Sequence, residues 1–225
     1  MATSSTYTFN PPIGQLTLNA FARCGVKRTA ILASHMEDAG MESNLLQADW
    51  AADGITWWTV DLVTQALTQG TATYDVPANA VSVLDVYINN GSSNRLIFPF
   101  TRTDFASLAN PDDQGFPTTF WYDRLLSPTL TLWPVPDGSA TYTMYYYVYR
   151  QIEDATIRQG GNAAVPYFWL NAYQTDLAHR LSRIYAPGLE AQRKMDRDEA
   201  YARACKQVEP GNIFVTPGLS GYFRP

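Results

Sequence analysis

Cysteine and histidine are scarce in this chain, with two of each among 225 residues. Cys24 and Cys205 lie far apart and form no CxxC motif, so we expect buried free thiols in a protein made in a reducing cytosol. A zinc site needs three or four converging ligands, and His35 and His179 stand in no such motif. We therefore predict no metal ion and no cofactor.

Long apolar runs and an excess of positive charge are absent as well. No apolar run approaches the roughly 20 residues of a membrane helix. No basic start is followed by an apolar stretch, so we expect neither a membrane segment nor a secretory signal. The net charge is -5, which argues against a nucleic-acid binder that works by neutralising phosphates. A protein that DNA slides past without sticking remains compatible with this charge.

Apolar residues make up 46% of the chain and aromatic residues 13%, which is enough for a sizeable core. The clearest pattern lies between Thr118 and Arg150. The segment 129–133 alternates polar and apolar side chains, as a half-buried strand does. A proline- and glycine-bearing turn follows at 134–138, and the aromatic-rich segment 141–150 reads as a second strand. We predict that these two strands form one hairpin.

The remaining elements follow from helical spacing, strand alternation and turn residues. Apolar residues at helical spacing predict helices over 13–25, 28–53, 167–185 and 189–207, and a short one over 102–108. Strands are predicted over 57–67, 72–76, 81–88 and 95–100, with a hairpin turn at Asn89-Asn90-Gly91. Short strands with frequent turns indicate an antiparallel sandwich or small barrel.

We expect the helices before and after the strands to pack against each other, because the thin apolar stripe on each helix must be covered. The predicted fold class is α+β. It comprises a discontinuous helical bundle domain, residues 13–54 and 164–208, and an inserted antiparallel β-sandwich or barrel domain, residues 55–163. An N-terminal arm (1–12) and a C-terminal docking arm (209–225) extend from it.

Both arms and the last helix carry candidate contact residues. Tyr7 and Phe9 alternate with threonine, which suits pairing with the sheet of a neighbouring subunit. Met195 and Tyr201 lie on an alanine-rich helix that we expect at a subunit interface. The last 16 residues contain three prolines and three glycines yet remain apolar, unlike a disordered linker. Their predicted docking residues are Ile213, Phe214, Val215, Leu219, Tyr222 and Phe223.

Several stretches, taken in order, give the chain a family resemblance over roughly residues 13–208. They are Asn44–Trp50, Gly54–Leu62, Gly70–Ala78, Thr101–Phe105, Gly115–Arg124, Leu130–Asp137 and Leu177–Pro187. Each stretch consists of residues typical of a core or a turn. The order of the stretches along the chain is more specific to a family than any single stretch is. In this order they resemble the head-to-tail adaptor proteins of short-tailed bacteriophages, also called tail accessory or tail tubular proteins.

This resemblance implies a structural virion protein rather than an enzyme. It implies a ring, dodecameric in such proteins, that sits below the portal at the head–tail junction after synthesis in the host cytoplasm. The implied partners are the portal protein, neighbouring adaptor subunits and a distal tail or nozzle protein, with genomic DNA passing through the lumen without sequence-specific binding. The resemblance also implies that the C-terminal arm docks into the portal.

Two other functions are left open by the sequence. The first is a β-sandwich module that binds carbohydrate or cleaves cell wall, which an exposed row of aromatics beside two carboxylates would favour. Its candidate carboxylates in or near loops are Asp104, Asp112, Asp113, Asp123 and Glu153. The second is a DNA-packaging factor with a basic stripe. Its only candidates, Arg180, Arg183, Arg193, Lys194 and Arg197, are interrupted by Asp196, Asp198 and Glu199.

Overall fold

The structure is a computed structural model that describes residues 8–55, 57–157 and 160–206. The α+β class is confirmed, with helices and a curled sheet of seven strands. The helices are α1 (Ile13–Arg23), α2 (Ala33–Ala52), α3 (Arg102–Ala106), α4 (Leu170–Tyr185) and α5 (Glu190–Lys206). The strands are β1 (Val60–Ala66), β2 (Thr73–Asp75), β3 (Ala80–Asn89), β4 (Asn94–Pro99), β5 (Gln114–Gly115), β6 (Thr119–Asp123), β7 (Thr129–Trp133), β8 (Val135–Pro136) and β9 (Thr143–Arg150).

The chain divides into two compact units. Among the described residues, the helical unit comprises those up to 43 and those from 155 onward, and the β unit comprises those between 44 and 154. This division runs through α2, whereas the sequence analysis placed the domain boundary at residue 54. The predicted bounds of the helical domain (13–54 and 164–208) and of the β domain (55–163) stay a prediction. Among the residues that the structure describes, no helix combines the length and apolar character that a membrane crossing demands.

In the helical unit, α4 is the central element and packs against both α1 and α5. Its core is formed by large side chains that are fully buried, among them Phe21, Trp169, Tyr173 and Leu177. The predicted helix over 13–25 is confirmed as α1, and Gly25 follows its end with a φ of +80°. A left-handed residue after the last turn is a common helix stop, and glycine adopts it without steric cost.

The second predicted helix begins later than expected. Residues 28–30 form a 3₁₀ turn and Ile31 is extended, so α2 starts at Ala33 rather than Arg28. His35 Nδ1 accepts a hydrogen bond from the Leu32 backbone N–H at 3.1 Å. This contact satisfies one of the unpaired N–H groups at the helix start, as the third residue of a capping box does. Leu32, the residue before the first turn of α2, is exposed.

In the β unit, the seven strands follow the order β1-β9-β3-β4-β6-β7-β2. The two halves of this sheet meet at β4, which pairs with β3 in antiparallel fashion and with β6 in parallel fashion. The sheet is therefore mixed, which corrects the prediction of a purely antiparallel β domain. One face of the sheet surrounds a hydrophobic core whose side chains come from both halves of the sheet. Its buried members are Tyr74, Val76, Val86, Ile88, Ile97, Phe120, Leu130, Leu132, Tyr142, Met144, Tyr146 and Val148.

The hairpin predicted between residues 129 and 150 is wrong, although both of its strands exist. β7 pairs with β2 and β6, and β9 pairs with β1 and β3, so each strand has both edges occupied by other partners. The connection between them is not a simple turn, because β8 pairs in parallel with β5. The turn at Asn89-Asn90-Gly91 is confirmed, since β3 and β4 pair directly across it and Gly91 has a φ of +89°.

Candidate assembly surfaces

The interface residues predicted from the sequence differ in how exposed they are. Phe9 is 74% exposed on the segment before α1, and Met195 is 72% exposed on α5. Tyr201 is half-buried, with its ring edge-on to Trp169 at 5.8 Å between centroids. Six residues along a helix turn the side chain by roughly 240°, so Met195 and Tyr201 point in different directions. Tyr201 therefore contributes to packing within the helical unit, and Met195 is available to a partner.

The other predicted contact residues cannot be placed in the structure. Tyr7 lies outside the described residues, and so does every predicted docking residue of the C-terminal arm. These are Ile213, Phe214, Val215, Leu219, Tyr222 and Phe223. Their roles stay predictions from the sequence and from the family resemblance.

The sheet of the β unit presents an apolar surface on the face opposite its core. Strand register places Thr64, Tyr145, Tyr87 and Leu96 side by side across four strands, and Leu62 beside Tyr147 in the next position. Phe98 continues this face and is 63% exposed. We call the apolar members, Leu62, Tyr147, Tyr145, Tyr87, Leu96 and Phe98, the outer row. No local pattern in the sequence indicates this row, because only the register of four strands brings its members together.

The aromatic run Tyr145-Tyr146-Tyr147 illustrates how the two faces differ. Tyr146 is buried in the core, whereas Tyr145 and Tyr147 point to the opposite face, as a period of two requires. Tyr145 stacks on Tyr87 with 5.1 Å between ring centroids and 9° between the ring planes. Stacked rings present a flat and rigid apolar surface, which is a typical feature of protein contact sites.

The arginines considered for a nucleic-acid stripe are paired with carboxylates inside the helical unit. Asp176 is buried, with Oδ1 3.6 Å from Arg180 Nε and Oδ2 3.6 Å from Arg197 Nε. Further pairs join Arg180 to Glu42, Arg183 to Glu190, Arg193 to Asp196 and Arg197 to Asp198. Cations neutralised in this way offer less to phosphates, so the geometry weakens the basic-stripe hypothesis.

Two of the carboxylates considered for catalysis, Asp104 and Glu153, have structural partners. Asp104 Oδ2 accepts hydrogen bonds from the N–H and hydroxyl of Thr101, and these bonds lower the pKa of Asp104 while capping α3. Glu153 lies 3.5 Å from Arg150. Within the described ranges, no group of three or more His, Cys, Asp or Glu side chains is arranged to hold a metal ion.

Both cysteines are thiols, as expected, but only one is buried. Cys24 is buried, and its Sγ donates a hydrogen bond to the Ala178 carbonyl at 3.3 Å. Burial raises the pKa of the Cys24 thiol, which keeps it protonated and unreactive at neutral pH. Cys205 is half-buried near the end of α5, which corrects the expectation that both would be buried.

His179 is a buried histidine of α4 whose charged form is disfavoured. Desolvation and the neighbouring Arg183 and Arg197 lower its pKa below the ordinary value of 6.5, against the opposing effect of Asp176 and Glu190. Glu190 Oε1 is 4.0 Å from His179 Nε2. The folded state therefore holds this imidazole neutral where the unfolded chain would protonate it.

This shift predicts a loss of stability in mild acid. Above about pH 7.5 the histidine is neutral in both states, and as the pH falls through the ordinary pKa of 6.5 the unfolded state binds the proton first. We expect the free energy of unfolding to fall more steeply from about pH 7.5 to about pH 5 in the native protein than in His179→Gln. Urea titrations at several pH values measure both slopes. Equal slopes for the two proteins would contradict the prediction.

The features described above define a two-unit α+β protein with exposed apolar surfaces on its β unit and at Phe9 and Met195. A family model described as SU10 adaptor protein matches residues 31–211. The chain therefore belongs to the SU10 adaptor protein family, and it is a structural adaptor of bacteriophages, a virion component that takes part in tail assembly. A comparison with curated proteins found no match.

Proposed function

We propose that the protein forms a ring beneath the portal of a short-tailed bacteriophage and joins the capsid to the tail without catalysing a reaction. The match to the adaptor family over residues 31–211 is the observation that carries this proposal. The proposed ring is a dodecamer at the head–tail junction, with the portal on one side and a distal tail or nozzle protein on the other. Each subunit would be a helical bundle with an inserted β-sandwich domain.

The charge of the chain supports passage of DNA through such a ring. The net charge is -5, and arginines 180, 183, 193 and 197 each face a carboxylate within 4 Å. A lumen that held phosphates tightly would retard ejection, since each neutralised phosphate adds to binding by counterion release. An acidic chain with internally paired cations avoids that retention.

The exposed apolar residues support assembly with other proteins. Phe9, Phe98 and Met195 are large side chains left exposed by the single chain. Exposed apolar surface of this kind favours protein contacts, because burying it against a partner removes it from water. A subunit of a ring needs such surfaces toward its neighbours, toward the portal and toward the tail.

Negative-stain imaging of the purified protein, alone and mixed with the portal protein of the same phage, tests the proposal. We expect rings of the protein bound to one end of the portal, whether or not the protein alone is monomeric. Portal protein mixed with bovine serum albumin is the control for adventitious density. Portal particles that stay bare in the presence of excess protein would overturn the proposal.

Carbohydrate binding is the second candidate function, and the outer row favours it. Its tyrosines 87, 145 and 147 present aromatic rings on an exposed sheet face, which is where a sugar ring could stack. Sedimentation of the protein with insoluble host polysaccharide or peptidoglycan tests this candidate. Binding that Tyr145→Ala abolishes would support it, and protein that stays in the supernatant would reject it.

A further inference from the structure

One edge of the seven-stranded sheet is open in the part of the chain that the structure describes. β1 is the last strand at that end and pairs only with β9. The Leu67 N–H donates to the Tyr142 carbonyl at 3.0 Å, which continues the ladder beyond β1. Antiparallel ladders alternate with a period of two, so the N–H and C=O groups of Val60, Leu62, Thr64 and Ala66 point away from β9.

Apart from one paired charge, this edge carries few of the features that usually prevent another strand from pairing with it. The sequence Val60–Ala66 has no proline and no lysine, and its register with β9 is unbroken over seven residues. Its one charge, Asp61, is neutralised by Arg150, with 2.9 Å between Oδ2 and Nε. Long and regular edges without an unpaired charge are templates for a further strand. At the other end of the sheet, β2 has only three residues and is followed by Val76-Pro77.

The surface beside this edge specifies what kind of strand fits. Leu62 belongs to the outer row, so an added strand would place every second side chain next to Leu62 and Tyr147 on an apolar face. The alternate side chains would lie beside Asp61, Val63 and Gln65, which are less uniformly apolar. A strand with aromatic residues at alternate positions, short polar residues between them and no charge matches both faces.

We propose that β1 binds residues 6–9 of a neighbouring copy of this chain as an additional strand. The sequence Thr6-Tyr7-Thr8-Phe9 alternates hydroxyl and aromatic side chains, and no acidic or basic side chain occurs between Met1 and Pro12. Phe9 is 74% exposed in its own chain, so the helical unit leaves it available to another copy. Pro11 and Pro12 donate no backbone hydrogen bond, so they end the pairing before α1.

In this arrangement, Tyr7 and Phe9 extend the outer row, and Thr6 and Thr8 face the other side of the sheet. Backbone hydrogen bonds to Leu62 and Thr64 supply the affinity, and the alternating side chains supply the register. The inference rests on the proposed function in one respect, because the ring is what brings a second copy within reach.

A cross-linking experiment on the full-length chain tests the proposal. Chains carrying Tyr7→p-benzoylphenylalanine are mixed with ¹⁵N-labelled native chains, with and without portal protein, and irradiated. Mass spectrometry then reports the partner peptide and, from its isotope mass, whether it came from another copy. We expect cross-links from the unlabelled arm to labelled peptides that contain residues 60–66. Cross-links confined to the same chain, or to other segments of a neighbour, would overturn the proposal.

Substitutions at Thr64 separate strand pairing from general contact. Thr64→Pro removes an N–H that points to the open edge while leaving the hydrogen bonds to β9 in place, and Thr64→Val keeps both the N–H and the side-chain shape. We expect the cross-linked fraction to fall about tenfold or more in Thr64→Pro and to stay unchanged in Thr64→Val. Equal cross-linking in the two variants would count against the added strand.

Hydrogen exchange on the native sequence provides a measurement that does not depend on any variant folding. The amides of Leu62 and Thr64 are expected to exchange more slowly in assembled protein than in dilute protein, since an added strand would occupy them. Unchanged exchange on assembly would reject the inference.

The outcome with portal distinguishes failure of this inference from failure of the proposed function. Rings on the portal without arm cross-links reject the added strand and leave the adaptor function standing. Protein that ignores the portal rejects the proposed function. In that case, the inference is tested by cross-linking concentrated protein without portal. Cross-links from the arm to residues 60–66 of another copy support the inference, and their absence rejects it.

Discussion

Removal of residues 210–225 is expected to abolish binding to the portal and to leave the fold of the remaining chain intact. The described helices end at Lys206, so the deletion removes no described helix or strand. The deleted segment carries the six predicted docking residues, Ile213, Phe214, Val215, Leu219, Tyr222 and Phe223. Burying large apolar side chains is the main favourable contribution in such contacts. Co-sedimentation with the portal protein measures binding, and thermal unfolding measures the fold.

A matched pair of tail variants identifies the chemistry behind this effect. Changing the six docking residues to serine should abolish portal binding as fully as the deletion does. Changing the polar tail residues Asn212, Thr216 and Ser220 to alanine keeps the tail length and should preserve binding. A truncated protein that still decorates the portal would refute the role of the tail.

Asp176→Ala is expected to lower the free energy of unfolding by about 3 kcal/mol, the largest effect on stability among the ion pairs described. The Asp176 carboxylate is buried between Arg180 and Arg197, and its removal leaves two partly buried guanidinium groups with less compensation. This value lies at the lower end of the range for breaking a buried ion pair, because Arg180 still pairs with Glu42 and Arg197 still pairs with Asp198. Urea denaturation followed by circular dichroism measures the change.

The matched control is Glu199→Ala, which removes the partner of Arg203 on the same unit. Both side chains of that pair are largely exposed, and exposed pairs contribute little, so a change within about 0.5 kcal/mol is expected. A loss of similar size in the two variants would show that burial of Asp176 is not what makes its pairs important.

Local signals in the sequence predicted most elements but not how they pair. The strands over 129–133 and 141–150 were identified from alternation and aromatic content, and the turn at Asn89-Asn90-Gly91 from its residues. The hairpin between the two strands was wrong, because the choice of strand partners depends on packing between segments far apart in the chain. The start of α2 was missed since His35 replaces the acidic or amide residue expected at that capping position.

For the candidate sites too, the sequence identified single residues but not the surfaces that pairing between strands creates. Phe9 and Met195 are exposed and their contact roles stay predictions, whereas Tyr201 packs against Trp169 within its own unit. The outer row and the open edge of β1 were invisible in the sequence. A shift of register by one residue would have turned the outer row toward the core.

The sequence by itself determined the α+β class, the positions of most helices and strands, and the adaptor family. These depend on side-chain period, turn chemistry and motif order, all of which are local or linear properties of the chain. Only the tertiary structure decided that Leu62, Tyr87 and Phe98 share one exposed face, that β1 has an open edge, and that Asp176 is buried between two arginines. These features arise from pairing and packing between distant segments, whose energies no local pattern specifies.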